Sequence, residues 1–193
     1  MSGVGLHSLK LLPRLKNLDV SGSQRTDSGI WSISITDLNL ESLASLVQLQ
    51  ALNLGGTKIT NLGVMKLRAL TQLRSLDLNS TQVSDAGLTV LSSLPNLEKL
   101  SLWRCQGVGD GAIAHILGAR RLAVLDLAET GLTDKGLPQI HEMPALHRLY
   151  LGGTKVSEPA VKAFERTHSQ CRVILGDRAY YENSKAAPPP DDD

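Results

Sequence analysis

LRSLDLNSTQVSDAGLTVLSSLPN, residues 73–96, is one complete copy of a unit that repeats along this chain. The unit begins with the pattern LxxLxL, and Val20 replaces the last leucine in the first of six copies. The copies begin at Leu15, Leu49, Leu73, Leu97, Leu122 and Leu146. From the second copy onward, the copies begin 24 or 25 residues apart. A period of roughly 20 to 29 residues is typical of stacked supersecondary units. The spacing therefore predicts a repeat protein.

Each unit has two halves with different periodicities. The alternation at the end of LxxLxL is typical of a β-strand, whereas Leu88, Leu91 and Leu94 recur at the spacing of a short α-helix or 3₁₀-helix. Between the halves lies a turn with a Ser or Thr where the helix should begin, often followed by an acid. These residue types predict a helix N-cap and a favourable charge at the positive end of the helix dipole. The predicted N-caps are Thr60, Ser84, Thr133 and Ser157.

The LxxLxL pattern together with the turns TKITNLG, TQVSDAG, TGLTDKG and TKVSEPA resembles the leucine-rich repeat family over residues 3 to about 175. The subtype it resembles has TDxGL after the strand and is known from F-box-type substrate receptors and bacterial repeat proteins. The unit LSLWRCQGVGDGAI has Cys105 in place of a threonine and one additional residue, as in the cysteine-containing variant. The resemblance implies an α/β fold, a right-handed solenoid with a parallel sheet on its concave face and short helices on its convex face.

Two features depart from the regular spacing. The turn motif occurs twice between the first two copies, and the ten additional residues near 25–34 predict an inserted loop. The chain opens on GVGLHSLKLLPRL, the helical half of a repeat, so we expect the N-terminal cap to be absent, while HSQCRVIL predicts a last strand with Cys171 at the first leucine position. We predict one leucine-rich repeat domain of about six to seven repeats over residues 1–178 and a disordered tail rich in proline and aspartate over residues 179–193.

Composition and charge exclude several classes of protein. The chain has 20 basic and 19 acidic residues, so it lacks the positive field that attracts nucleic acid. No basic region precedes an apolar run at the start, which argues against a signal peptide. No stretch approaches the roughly 18 apolar residues that a membrane span needs. We therefore expect a cytoplasmic monomer that neither inserts into a membrane nor binds nucleic acid.

The sequence contains no combination of residues that predicts catalysis. GVGDGA, residues 107–112, lies between a strand and a helix, as a dinucleotide-binding loop does, but its third glycine is missing and every repeat has a turn here. The histidines lack metal-binding spacing, and no Ser–His–Asp set faces one way. Cys105 and Cys171 lie about three strands apart, roughly 14 Å, so we expect free thiols. We predict no catalytic residue, no metal site and no cofactor, and hence no enzyme.

The positions between the leucines should form exposed columns on the concave face of the sheet. Trp103 is the exception in its column, because the other repeats have small or polar residues there. Tyr150 lies two strands on, roughly 10 Å away, and Trp, Tyr and Arg are the residue types most often found as interface hot spots. The predicted partner-binding residues are Trp103, Arg104, Tyr150, Arg148, Asp126, Lys99 and Asp77. The alternative is that Trp103 merely covers its neighbours.

These observations favour a scaffold that binds a partner protein on its concave face. The family resemblance implies an alternative, the substrate-recognition part of an F-box-type ubiquitin ligase, which would need an F-box helical module that does not precede residue 3. A third interpretation is a structural fragment of a larger leucine-rich repeat protein, which the missing first strand and the duplicated turn favour.

Overall fold

A computed structural model describes residues 3–22 and 35–176 of the chain. Seven strands form one parallel sheet in sequence order: β1 (Asn17–Asp19), β2 (Ala51–Asn53), β3 (Ser75–Asp77), β4 (Lys99–Ser101), β5 (Val124–Asp126), β6 (Arg148–Tyr150) and β7 (Arg172–Ile174). The α-helices are α1 (Asp37–Leu43), α2 (Asn61–Val64), α3 (Gly111–Ile116) and α4 (Glu158–Thr167), and the 3₁₀-helices are η1 (Gly3–Leu11), η2 (Met65–Ala69), η3 (Asp85–Ser93) and η4 (Leu137–Glu142). The strands line the concave face and the helices lie on the convex face, which confirms the predicted α/β solenoid.

The leucines of the repeat form the core. The middle leucine of each strand pairs with its equivalent in the next strand, from Leu18 and Leu52 through to Leu149, which pairs with Val173. Leu52 and Leu149 are almost completely buried, whereas Leu18, on the first strand, is only half-buried. Each repeat therefore buries its leucines against the repeats on either side, as the sequence predicted.

The strand motif of the last repeat is one residue shorter than in the other repeats. Cys171 is buried, and its backbone N–H binds the His168 carbonyl as that of Leu146 binds the Met143 carbonyl, so Cys171 occupies the first leucine position as predicted. Val173 nevertheless follows Cys171 after one intervening residue instead of two. Because Val173 pairs with Leu149, Ile174 lies beside Tyr150 on the concave face.

The bounds of the repeat domain and its tail stay a prediction. The 3₁₀-helix η1 confirms that the opening segment is the helical half of a repeat. The predicted insertion near residues 25–34 and the predicted tail, residues 179–193, lie outside the described residues.

The hydroxyl residues before the helices do more than begin them. Thr60 and Ser157 are N-caps whose side chains accept a helix N–H, as predicted. Ser84 stands at the N-cap of η3 without a side-chain cap bond. Thr133 is not an N-cap, because η4 begins only at Leu137, and its hydroxyl oxygen accepts the Lys135 N–H within the preceding turn.

Acids and one Asn at the start of the helical half also link neighbouring repeats. Asp110 accepts two hydrogen bonds from Thr133 of the next repeat, one from the backbone N–H at 2.8 Å and one from the hydroxyl at 2.6 Å. Asn61 makes the equivalent contact with Ser84, accepting from its N–H and donating to its hydroxyl oxygen. The carboxylate pairs of this kind are Asp37–Thr60, Asp110–Thr133 and Asp134–Ser157. The Asp or Asn of the turn motif is therefore an inter-repeat clamp.

The same clamp explains the glycine of the turn motif. A Cβ atom on Gly87 would lie 2.5 Å from the Asn61 Oδ1 of the preceding repeat, and one on Gly136 would lie 2.5 Å from an Asp110 carboxylate oxygen. In these two repeats the clamping side chain leaves no room for a Cβ atom at the glycine, whereas the repeat held by the Asp134–Ser157 clamp has Ala160 at the equivalent position.

We expect Gly87→Ala to lower the free energy of unfolding by about 1 to 3 kcal/mol, the usual cost of overpacking, because Asn61 is fixed by two hydrogen bonds and cannot move aside. Gly109→Ala is the matched control, since the nearest atom to its Cβ would be 3.6 Å away. Urea unfolding measures both variants. Equal stability of the two variants would show that the Asn61 side chain moves aside at little cost in free energy.

The clamp should also make stability depend on pH. The N–H and hydroxyl of Ser157 hold the pKa of Asp134 below its ordinary value. A lowered pKa in the folded state stabilises the fold above the unfolded pKa, and this contribution is lost as the pH falls through the folded pKa. The loss should therefore occur below about pH 4.

Asp134→Asn keeps the shape of the clamp and removes its titration, as Asn61 already does toward Ser84. We expect the urea midpoint of the wild-type chain to fall more than that of Asp134→Asn between pH 5 and pH 3. Parallel acid dependence in the two proteins would contradict this role for Asp134.

Candidate protein-binding surface

The strand register arranges the exposed residues of the concave face in three columns. The first column reads Asn17, Ala51, Ser75, Lys99, Val124, Arg148 and Arg172. The second reads Asp19, Asn53, Asp77, Ser101, Asp126, Tyr150 and Ile174. The third follows the strands and includes Gly55, Asn79, Trp103, Ala128 and Gly152. The columns have the composition that the repeat spacing predicted, extended by Arg172 and Ile174.

The N-terminal half of this face is acidic and polar. Asp19 accepts a hydrogen bond from Asn53 Nδ2 at 3.1 Å, and the backbone N–H of Ser21 holds the pKa of Asp19 below its ordinary value. Asp77 is half-buried and accepts two hydrogen bonds from Asn79. These side chains line a shallow depression over β1, β2 and β3.

The C-terminal half carries Trp103, which the structure places in a cluster with Arg104 and Glu129. Trp103 Nε1 donates to Glu129 Oε1 at 3.0 Å, and Arg104 Nε donates to Glu129 Oε2 at 2.6 Å. The Arg104 guanidinium carbon lies 4.8 Å from the centroid of the Trp103 ring, a cation–π distance. The indole is half-buried and fixed by this contact, so it is less exposed than the sequence suggested.

The turn that holds this cluster requires a left-handed backbone. Arg104 and Glu129 have φ angles of 59° and 54°, in the region where Gly56 and Gly153 stand in other repeats. A non-glycine residue in this region costs roughly 1 to 2 kcal/mol. Ser80 has the same left-handed backbone, with φ 53°, so this conformation belongs to the turn position, and at Arg104 and Glu129 it carries a cation and an anion where two other repeats have glycine.

Glu129 is the member of the cluster that the predicted site omitted. The signal in the sequence is that WR, residues 103–104, and AE, residues 128–129, occupy turn positions that are GG in two other repeats. In these two consecutive repeats the second residue of the pair is charged, and the two charges are opposite in sign. This indicates an ion pair between the two turns.

The other predicted site residues lie in different places. Arg148 is the first residue of β6, whereas Arg104 follows the end of β4. The two arginines therefore lie at opposite ends of the parallel strands and not together beside Trp103. Lys99 is exposed, and Arg148 and Tyr150 are half-buried.

The prediction that Asp126 is available on the surface is wrong. Its exposed fraction is 6%, and one carboxylate oxygen accepts the backbone N–H of Ala128 at 3.0 Å. Neighbouring strands place Ser101 and Tyr150 on either side of it. Asp126 therefore belongs to the support of the surface, and the sequence pattern could not show this because larger neighbours decide its burial.

Both cysteines are free and buried, as predicted. Cys105 stands in a column of buried threonines, where its thiol binds the Leu78 carbonyl at 3.1 Å. Burial raises the pKa of Cys105, and it raises that of Cys171 to about 11. Thiols of this kind are poor nucleophiles, which fits a packing role.

The described residues offer neither a metal site nor a membrane span. Within residues 3–22 and 35–176, no group of three or more His, Cys, Asp or Glu side chains is arranged to hold a metal ion. In the same ranges, every helix is too short or too polar to cross a lipid bilayer.

Comparison with known proteins supports the fold. Residues 48–67 and 69–92 match the family model described as Leucine Rich repeat. A search of curated proteins found no match. The chain therefore carries leucine-rich repeats, and the match covers two of them.

Solved structures with a similar fold include two internalins from Listeria monocytogenes. Internalin C2 is 21% identical with a TM-score of 0.62, over 87% of this chain and 74% of that one. The internalin InlF is 19% identical with a TM-score of 0.62, over 89% of this chain and 51% of that one, so this chain spans about half of its length. These similarities establish a leucine-rich repeat solenoid.

We expect Trp103→Phe and Glu129→Ala to show a coupling energy of about 1 to 3 kcal/mol in a double-mutant cycle, because the cycle isolates a hydrogen bond to a charged, partly buried acceptor. The control cycle is Arg74→Ala with Glu98→Ala, an exposed ion pair at 3.0 Å, for which about 0.2 to 1 kcal/mol is usual. Equal coupling in the two cycles would show that Glu129 does not fix the indole.

Proposed function

We propose that this protein is a non-enzymatic scaffold that binds a partner protein on the concave face of its sheet, with Trp103 and Tyr150 as the main contacts. The carrying observation is the Trp103–Arg104–Glu129 cluster, in which three side chains fix one another at a strained turn. Nothing in the repeat requires an aromatic residue at this position, and the other repeats manage without one.

Energetic arguments support this surface as a binding site. A fixed aromatic side chain loses little conformational entropy on binding, so its contact area contributes more to affinity. Trp, Tyr and Arg are enriched among the residues that dominate interfaces. Tyr150 is half-buried and lies on the same concave face, two strands from Trp103.

The subtype and cellular setting are parts of the same proposal. The inter-repeat clamp, with its glycine, and the buried Cys105 support the TDxGL and cysteine-containing subtype. Two free thiols support a reducing compartment such as the cytoplasm. The net charge of +1 supports the proposal that this monomer does not bind nucleic acid.

We expect Trp103→Ala combined with Tyr150→Ala to abolish capture of partner proteins, since each hot-spot truncation costs about 2 kcal/mol or more, about thirtyfold in affinity. The matched control is Leu38→Ala with Leu62→Ala, which removes two apolar side chains from the convex face that are 79% and 75% exposed. Quantitative mass spectrometry of pull-downs compares the three proteins.

Melting temperatures separate binding from folding. Because Trp103 is half-buried and hydrogen-bonded, we expect a modest fall in the double variant, with the solenoid intact by circular dichroism. If the convex variant loses the partners and the concave variant keeps them, the proposed surface is wrong.

A further inference from the structure

The last two strands place two arginines directly opposite each other. Arg148 on β6 pairs in register with Arg172 on β7, the former half-buried and the latter exposed. Like charges opposite each other on neighbouring strands destabilise a sheet. Among residues 3–22 and 35–176, neither arginine forms an ion pair. The basic residues that do form ion pairs in these ranges are Arg74, Arg104 and Lys162. The fold therefore tolerates a repulsion that an external anion would relieve.

Apolar side chains lie next to these arginines in the same register. Tyr150 pairs with Ile174, and each follows its arginine by two residues on the same face of the sheet. The step along a strand from one such residue to the next is about 7 Å. The four side chains form a patch, Arg148, Arg172, Tyr150 and Ile174, with two cations at one end and two apolar groups at the other.

The dimensions of this patch match an extended polypeptide. Residues i and i+2 of an extended segment point to one side and are also about 7 Å apart. A carboxylate is the planar acceptor that guanidinium groups bind best, with two parallel hydrogen bonds. An acidic side chain followed two residues later by an apolar one would therefore satisfy both ends of the patch.

We infer that the patch recognises an extended segment of the partner protein with the pattern acid-x-apolar, in either chain direction. This inference rests on the proposed function, because it assigns a ligand chemistry to the concave face. Lys99, exposed and two strands from Arg148, adds to the positive potential that attracts such a segment.

A display library of random nonapeptides, selected on the full-length chain, tests the pattern directly. We expect Asp or Glu two positions from an apolar residue to be enriched on the wild-type chain. Arg148→Glu with Arg172→Glu should select Lys or Arg in place of the acid. The control, Arg68→Glu with Arg166→Glu, changes the charge equally on exposed helical positions and should select as the wild type does. No acid enrichment, or the same enrichment after charge reversal, would overturn the inference.

A neutral variant separates binding from stability. Arg172→Gln removes one of two like charges, so its melting temperature should equal or exceed that of the wild type. Its dissociation constant for the most enriched peptide, measured by fluorescence polarisation, should rise about tenfold or more. A lower melting temperature would assign Arg172 a structural role and refute the inference.

Two further outcomes would identify other occupants. If a single-stranded DNA oligomer at equal concentration competes with the peptide, the ligand of the patch is nucleic acid. Tighter peptide binding after Asp191, Asp192 and Asp193 are changed to Asn would show that the chain's own C-terminal acids occupy the patch. Either result overturns the assignment to a partner protein.

The two proposals fail separately. If Trp103→Ala with Tyr150→Ala loses the captured partners but the library shows no acid preference, the concave interface stands and the acid-x-apolar pattern falls. If the acid preference appears while that variant keeps its partners, the patch binds peptides but does not hold the captured proteins.

Discussion

The parallel stacking of repeats is the constraint on which the rest of this structure depends. A strand of three residues cannot bury its own leucines, so each repeat gains a core only from the repeats on either side. The half-buried Leu18 on the first strand and the almost completely buried Leu52 on the second show this dependence. Because stacking fixes the register, every position of the repeat meets its own equivalent in the next repeat.

This self-matching explains both the turn motif and the character of the concave face. On one side it brings Asp110 to Thr133, and the clamp that results excludes a side chain at Gly136. On the other it brings Arg148 to Arg172, where the repeat offers no compensating charge within the described ranges. Equivalent positions can thus stabilise the stack or oppose it, depending only on the residue present.

Where the repeat departs from its simplest form, the departure costs stability. Left-handed backbone at Ser80, Arg104 and Glu129, where two other repeats have glycine, is one such cost, and the opposed arginines are another. The opposed arginines and the turns at Arg104 and Glu129 lie on or beside the face that also holds Trp103 and Tyr150. The binding role proposed for this face would explain why stability is given up there.

The sequence alone determined the strands, their parallel order, the buried leucines and the three columns of the concave face, because spacing of 24 or 25 residues leaves one way to bury the leucines. It also singled out Trp103 and Tyr150. Only the tertiary structure showed that Asp126 is buried, that Glu129 holds the indole, and that Ile174 lies beside Tyr150. These facts depend on which side chains of neighbouring repeats contact each other. The period of a repeat does not determine the size of those side chains or the contacts they make.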